Sequence, residues 1–294
     1  MRIAEVLQSG FAVLLAVAAW LPGLRSLPAR RRLRITGLSA LVLAADAIAC
    51  ATPRFLSAAA SAMLRDWLPA ALMLVPYWQT GQFFRAPNAK IQSWLLRLDL
   101  RWLGRTAARS GTGRTRLGLA LEIAYVFCYL FVPLGLAALC IAGRRGHTDF
   151  FWLVVLTASY LCYAVTPFFP AMPPRDALKS ALNAPALATG SGVLSRDSGA
   201  GAQNRGRRFN RWLQGWGSIH AISFPSAHVA SALAVSLVLL RWMPVTGSCF
   251  LAGAVSIAIA AVAGRYHYLL DVLLGVAVAL SVFAASCILR VPGN

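Results

Sequence analysis

The sequence predicts an all-α fold, a polytopic transmembrane helix bundle. Hydrophobic residues make up 59% of the chain and charged residues 13%, and the mean hydropathy is +0.65. These values exclude a soluble globular domain. Apolar runs of about 18 residues or more recur along the chain, and this length crosses the hydrocarbon core of a bilayer.

Eight apolar segments are read as spans, within an expected range of about six to eight. Pro22 ends the first segment, and Pro69 and Pro76 interrupt the third, which membrane helices tolerate better than soluble ones. A retained first helix is expected, because Glu5 interrupts its start and no small-x-small cleavage site follows. The segments are 7–24, 35–52, 64–84, 117–143, 149–171, 223–242, 246–264 and 268–290.

These spans divide the chain into three parts. Residues 1–84 are expected to form N-terminal transmembrane helices, and residues 117–294 to form the core that carries the site. The connection 85–116 is expected to hold an amphipathic helix that lies in the headgroup layer. Its apolar residues recur at helical spacing: Ile91, Trp94, Leu95, Leu98, Trp102 and Leu103.

The formal net charge of +19 allows two interpretations. Nucleic acid is one partner for such a basic chain. The basic residues, however, stand beside membrane spans, where anionic lipid headgroups are the nearer partner. We therefore expect anionic lipids at the basic connections and no nucleic acid; the oligomeric state is left open.

The six cysteines all lie within or beside apolar segments, and none forms a Cys-x-x-Cys pair. Neither a zinc site nor a disulfide framework is expected from this arrangement. The simplest interpretation is that they are small buried hydrophobic residues.

Two of the four histidines stand beside apolar segments. His267 is followed four residues later by Asp271, so a helix would place both side chains on one face. A carboxylate that holds one imidazole nitrogen leaves the other free to act as a nucleophile or base. A structural hydrogen bond is the alternative, but ionisable groups at the edge of a membrane span are costly without a function. His228, in Phe-Pro-Ser-Ala-His, is the second candidate.

A proline-rich segment precedes Arg175 and ends the fifth apolar run. The guanidinium of an arginine at this boundary offers a planar fork of donors suited to phosphate oxygens. An ordinary juxtamembrane arginine is the alternative interpretation.

Three motifs in this order resemble those of the type 2 phosphatidic acid phosphatase superfamily. They are Pro-Pro-Arg at 173–175, Pro-Ser-Ala-His at 225–228 and Arg-Tyr-His-Tyr-Leu-Leu-Asp at 265–271. The last two carry most of the specificity. The resemblance implies a catalytic core within 117–294, a lipid substrate taken from the bilayer, no metal and no cofactor.

The resemblance also implies a role for each matching residue. His267 would attack phosphorus to form a phosphohistidine, Asp271 would orient His267, and His228 would protonate the departing alcohol. The phosphate-binding residues would be Arg175, Arg265 and Ser226.

Two positions depart from the common phosphatase pattern. Phe168 stands where the family has a lysine, and Ala261 where it has the third-motif arginine. These departures are more similar to the branch of inositol phosphorylceramide synthases and sphingomyelin synthases, which transfer a headgroup between lipids. Tyr163 matches the first motif of that branch, and Tyr163 and Tyr266 are candidate substrate contacts.

The expected function is a lipid phosphatase or phosphotransferase. Water as acceptor would make the protein a phosphatase, and a lipid hydroxyl would make it a headgroup transferase; the motif spacing leaves both open. A transporter or a non-catalytic lipid-binding protein, with the histidines as a proton relay, is the alternative class. Inverted repeats would favour a transporter, and the sequence shows none.

Two arguments about orientation disagree. The connections 25–34, 85–116 and 172–217 fall at the site end of the bundle and carry 20 of the 28 Lys and Arg residues. The positive-inside rule places that end in the cytoplasm, whereas the resembling family works on the extracytoplasmic side. A bacterial plasma membrane is the expected location, with sidedness left open.

Overall fold

The structure, a computed structural model, describes residues 1–21, 27–109, 116–177 and 221–289. Within these ranges the regular elements are helical and no strand occurs, which confirms the predicted fold class. The α-helices are α1 (Ile3–Trp20), α2 (Ala29–Ala51), α3 (Ala58–Leu72), α4 (Leu74–Phe83), α5 (Ala89–Arg109), α6 (Arg116–Val126), α7 (Cys128–Ile141), α8 (Thr148–Val165), α9 (Ala227–Trp242), α10 (Pro244–Ala263) and α11 (Leu269–Ile288).

Six segments of the described chain are long and apolar enough to cross a membrane: Ile3–Trp20, Ala29–Arg54, Ala58–Phe83, Arg145–Phe168, Pro244–Ala263 and Leu269–Ile288. Helices α6 and α7 together reach the required length but bend by 60° where they meet, and α9 is apolar with 16 residues. Each of the eight predicted spans overlaps one of these segments. The chain is therefore a multi-pass integral membrane protein.

Helix α2 begins earlier than the sequence predicts, at Ala29 rather than near residue 35. Its first turns carry four arginines, whose long side chains can reach polar groups while the helix enters the apolar layer. Arg31 shows how: its Nη1 donates to the carbonyls of Gln82 and Phe84, at 3.2 and 2.5 Å. These bonds tie the start of α2 to the end of α4.

Helices α8 and α9 form the centre of the bundle. Along α9, Ala230, Ala232, Ala234 and Ser236 are each fully buried. Small side chains let helix backbones approach closely, and such packing is a main source of helix association in lipid. Helix α8 packs against α9, α11 and α1, and most of its length is buried.

The N-terminal helices α1 to α4 pack directly on this centre. The ring of Phe11 on α1 stacks on the ring of Tyr160 on α8, with centroids 4.6 Å apart and an interplanar angle of 8°. Trp152 on α8 donates from Nε1 to the carbonyl of Asp66 on α3, at 2.9 Å. Stacked rings and a satisfied indole N–H are favourable interhelical contacts in an apolar layer.

Buried charges cluster at the end of the bundle where α8 begins. The carboxylate of Asp66 accepts bonds from Arg2 and from Nη2 of Arg145, the latter at 2.6 Å. Glu5 pairs with Nε of Arg65 at 2.6 Å and with its Nη2 at 2.8 Å. Each buried acid is thus paired, as burial of a charge requires.

The opposite end of the bundle holds α5 and the segments that carry the three motifs. A cluster of buried residues joins them: Leu95, Ala171, Ile222, Phe224 and Tyr268. The predicted amphipathic helix is present as α5, but its buried residue Leu95 faces these segments, while Trp94 and Trp102 are 40% and 48% exposed. Residues 110–115 and 178–220, which include most of the third basic connection, lie outside the described residues.

Gly275 allows α11 to approach the segment that precedes α9. A Cβ at this position would lie 2.6 Å from the carbonyl oxygen of Ser226. The atom that a Cβ would meet belongs to the backbone of Ser226, and backbone cannot move aside as a flexible side chain can. Only glycine therefore fits at this position without a shift.

Gly275→Ala is expected to lower the melting temperature in detergent, because overpacking costs about 1–3 kcal/mol. Gly10→Ala is the matched control, since Gly10 also lies within a helix and its Cβ would meet nothing within 4 Å. The control should melt at or above the wild-type temperature. A Gly275→Ala protein that melts like wild type would contradict the close approach.

Candidate functional site

Backbone hydrogen bonds bring the three predicted motifs together. The amide of Arg175 donates to the carbonyl of Arg265 at 3.3 Å, and the amide of Ser226 donates to the carbonyl of Asp271 at 3.0 Å. The first bond joins the first and third motifs, and the second joins the second and third. Motifs that are 37 to 90 positions apart in the chain thus meet at one end of the bundle.

His267 and Asp271 form the predicted contact, with Nδ1 and Oδ2 3.0 Å apart. Both side chains are buried, at 4% and 0% exposure. His267 lies two residues before α11 begins, so the contact closes the start of the helix rather than running along its face. An ionised carboxylate only accepts, so Nδ1 carries the proton and Nε2 keeps its lone pair. This is the arrangement of an oriented nucleophile or base.

His228 lies in the first turn of α9 and faces His267. The two ring centroids are 5.7 Å apart, close enough for one small group to contact both imidazoles. The rings of Tyr125 and Tyr129 flank His228, at 6.0 and 5.5 Å. Its buried Nδ1 has no hydrogen-bond partner among the described residues. A partly buried imidazole that packs on aromatic rings beside a second histidine is suited to proton transfer with a bound molecule.

Ser226 is the residue before α9, where a serine normally caps the helix with its own hydroxyl. Here its side chain does not cap the helix; instead Oγ of Ser223 accepts the amide of Ala227 at 3.1 Å. The hydroxyl of Ser226 is fully buried and has no partner within the described chain. An unused donor at the positive end of a helix is a feature of anion sites.

The guanidinium of Arg175 lies over the ring of Tyr266, with Cζ 4.4 Å from the ring centroid. The same ring stacks on the ring of Tyr125, with centroids 3.8 Å apart and an interplanar angle of 6°. Nε of Arg175 is also 3.7 Å from Oδ2 of Asp176, a longer and more exposed contact. Arg175 is therefore held against Tyr266, the residue before His267, and its side chain is 20% exposed.

Arg265 has a left-handed backbone, with φ of 57°. It follows Gly264, the C-cap of α10, and its amide donates to Val262 while the amide of Tyr266 donates to Ala261. This is a Schellman ending with arginine in the position that glycine usually takes. A left-handed conformation costs a non-glycine residue about 1–2 kcal/mol.

Tyr163 makes no described ring contact with the other predicted site residues. It is buried in α8, and its described ring contacts are with Tyr77 and Tyr160, at 5.9 and 6.3 Å. The two departures from the family pattern differ in burial: Phe168 is 75% exposed, whereas Ala261 is fully buried in α10.

Helix α5 supplies polar residues that the sequence analysis missed. Gln92 accepts the amide of Met172 through Oε1 at 2.8 Å and donates to the hydroxyl of Tyr268. Asp99 accepts the amide of Leu269, the first residue of α11, at 3.0 Å. Helix α5 thus holds the residue that precedes the first motif, Met172, and the two residues that follow His267.

One signal in the sequence could have found Asp99. Ile91, Leu95 and Asp99 are spaced four residues apart, so an acidic residue continues the buried face of an amphipathic helix. A carboxylate on that face requires a polar partner, and the open amide at the start of α11 is that partner.

Within the described part of the chain, no group of three or more His, Cys, Asp or Glu side chains gathers in a position to hold a metal ion.

A helical membrane bundle with a histidine–aspartate pair, a second histidine and an arginine at one end defines a class of membrane enzyme that handles phosphate groups. A family model described as the PAP2 superfamily matches residues 93–285. The chain belongs to the PAP2 superfamily, and it is a membrane enzyme of the phosphatase or phosphotransferase type. No curated protein and no solved structure matches the chain.

Asp99 makes stability depend on pH. Burial, and after it the nearby charge of Asp271, raises the pKa of Asp99 to about 6, while the Leu269 amide and Arg265 act against this rise. The folded protein therefore binds the proton more tightly than the unfolded chain does. The resulting stability is fully present below a pH of about 4 and is lost as the pH rises through about 6.

Asp99→Asn keeps an acceptor oxygen for the Leu269 amide but does not titrate. We expect its melting temperature, relative to that of wild type, to improve as the pH rises from 4 to 7. Thermal melts in detergent across this range measure the difference. A constant difference between the two proteins would contradict the raised pKa.

Proposed function

We propose that the protein is a lipid phosphatase or phosphotransferase that works through a phosphohistidine on His267, without a metal ion. The observation that carries this proposal is the position of the His267–Asp271 pair, 5.7 Å by ring centroid from His228. One histidine with an oriented lone pair and a second within reach of the same group provide a nucleophile and an acid.

In the first step, Nε2 of His267 attacks the phosphorus of a lipid phosphate. A P–N bond forms as the P–O bond to the lipid alcohol breaks, and the electron pair leaves with that oxygen. His228 gives its proton to the departing oxygen. Asp271 stabilises the positive charge that develops on His267, because its carboxylate accepts a hydrogen bond from the Nδ1–H group.

Charge stabilisation comes from the groups around this position. A transferring phosphoryl group spreads negative charge over its equatorial oxygens, so fixed donors and cations lower the barrier. Arg175 supplies a planar fork of donors and Ser226 a buried hydroxyl, while Arg265 adds a second cation from the end of α10. The partly buried setting strengthens each of these interactions.

In the second step, an acceptor oxygen attacks phosphorus and the P–N bond to His267 breaks, while neutral His228 takes the acceptor's proton. Water as the acceptor releases inorganic phosphate. A lipid hydroxyl as the acceptor gives a new phosphorylated lipid. If the donor that His267 attacked in the first step is a phosphodiester, the lipid hydroxyl receives the phosphoryl group together with its headgroup. The uncharged Phe168 and Ala261 favour this second candidate, since the common phosphatase pattern has cations at both positions.

The substrate would enter from the bilayer. Tyr129, at the start of α7, meets His228 edge-on and is 41% exposed. It follows directly on the bend between α6 and α7. The side of the bundle at this bend is therefore the route by which a lipid headgroup would reach the histidines, and the acyl chains would remain in the lipid.

The first test is phosphate release by purified protein from a panel of lipid phosphates, with and without hydroxyl acceptors. Release without an acceptor is expected for a phosphatase, and a new phosphorylated or headgroup-exchanged lipid when ceramide or diacylglycerol is added is expected for a transferase. Neither product with any donor would overturn the proposed activity.

Substrates with different leaving groups distinguish the roles of the two histidines. His228→Ala should lose at least about 100-fold in rate with an alkyl phosphate, in line with general acid catalysis. Most of that loss should disappear with p-nitrophenyl phosphate, whose leaving group needs no acid. His267→Ala should be inactive with both substrates. Equal losses for His228→Ala on both substrates would contradict its role as acid.

A further inference from the structure

We propose that Glu122 and Tyr266 are positioning residues, which hold the guanidinium of Arg175 in the orientation that binds a phosphoryl group. Neither residue is part of the proposed chemistry. The inference rests on the proposed function for the identity of the ligand. The inference goes beyond that function because it assigns a positioning role to Glu122, a buried acid on α6, and to Tyr266 of the third motif.

The ring of Tyr266 is fixed between two planar groups. Tyr125 stacks against it with ring centroids 3.8 Å apart, and Cζ of Arg175 lies over it at 4.4 Å. Tyr266 is 4% exposed and Tyr125 is 3% exposed. With both rings buried, Tyr266 is enclosed by protein contacts and presents little surface for a substrate.

A guanidinium over an aromatic ring keeps its N–H donors available. The ring attracts the face of the cation, whereas the donors of arginine lie in its plane and point outward. The contact with Tyr266 therefore restricts the guanidinium without using the N–H donors that lie in its plane. A lysine could not reproduce this geometry, because its ammonium is a compact point charge.

Glu122 anchors the ring from a distant part of the chain. The hydroxyl of Tyr266 donates to Oε2 of Glu122, which is 1% exposed on α6. The bond prevents the ring from sliding in its own plane. A carboxylate acceptor also raises the electron density of the phenol, which strengthens the attraction for a cation on the ring face.

The position of Tyr266 in the third motif gives this anchor its importance. Tyr266 stands between Arg265 and His267, and the carbonyl of Arg265 accepts the amide of Arg175 at 3.3 Å. Arg175 is thus attached twice to the same turn, by its backbone and by its side chain. Asp176, 3.7 Å from Nε of Arg175, is a competing partner when the ring contact is weakened.

The test measures orthovanadate binding to full-length protein in detergent by titration calorimetry, alongside melting temperature and turnover. Glu122→Leu and Tyr266→Leu are expected to weaken orthovanadate binding about tenfold, the loss of one well-placed charge-assisted contact. Glu122→Gln keeps an acceptor oxygen, so it should bind within about threefold of wild type. Tyr266→Phe keeps the ring but loses the bond to Glu122, so it should weaken binding to the same extent as Glu122→Leu. If the leucine variants do not fold, Tyr266→Phe still tests the proposal, and wild-type binding by this variant would overturn it.

Asp46→Leu is the matched control. Asp46 is also a buried acid in a span, 2% exposed, and it accepts a hydroxyl from another helix, Oγ of Ser9 at 2.7 Å. This variant should melt at a lower temperature and bind orthovanadate as wild type does. A loss of binding equal to that of Glu122→Leu would make Glu122 merely structural and overturn the proposal.

A double-mutant cycle identifies the route through Arg175. Arg175→Lys alone should weaken orthovanadate binding, and adding Glu122→Leu to it should have little further effect, because both remove the same oriented fork. Independent, multiplying effects would overturn the proposal, as would a wild-type protein that binds no orthovanadate. If orthovanadate binding depends on Glu122 but the wild-type protein shows no lipid turnover, the proposed function is overturned and the positioning role of Glu122 stands.

Discussion

The hydrogen bond from the amide of Ser226 to the carbonyl of Asp271 determines the geometry of the site. It joins the start of α9 to the first turn of α11, at 3.0 Å. Gly275, one turn further along α11, allows the approach, because any Cβ there would collide with the carbonyl of Ser226. His228 follows Ser226 by two residues and His267 precedes Asp271 by four. The separation of the two imidazoles therefore depends on this junction.

The surroundings of the junction explain how polar groups are tolerated at the edge of an apolar bundle. Each acidic side chain there has a hydrogen-bond partner: Asp271 contacts His267, Asp99 accepts the amide of Leu269, and Glu122 accepts the hydroxyl of Tyr266. Three buried polar atoms at this junction, Oγ of Ser226, Nδ1 of His228 and Oδ1 of Asp271, have no hydrogen-bond partner within the described chain. Buried polar atoms are normally satisfied. Other such atoms are scattered through the described helices, but these three lie together at the end of the bundle that carries the motifs.

In the structure, helix α5 makes contacts that its amphipathic sequence pattern did not predict. Its amphipathic pattern alone is typical of a helix that lies on lipid, and Trp94 and Trp102 on its exposed side agree with that interpretation. Its other side, with Leu95, Gln92 and Asp99, contacts the segments that carry the motifs. Hydrophobic periodicity shows that a helix has two faces, but it does not show what covers each of them.

The sequence by itself determined the bundle, the approximate limits of its spans and the candidate residues of the site. Span length and apolar composition follow from the thickness of the bilayer, and His267 and Asp271 are close in the chain, so their contact is local. Only the tertiary structure brought Arg175, Tyr266 and Glu122 together and turned Asp99 towards α11. Glu122 and Tyr266 are 144 positions apart. Such contacts depend on how helices pack, and no local pattern of residues encodes that.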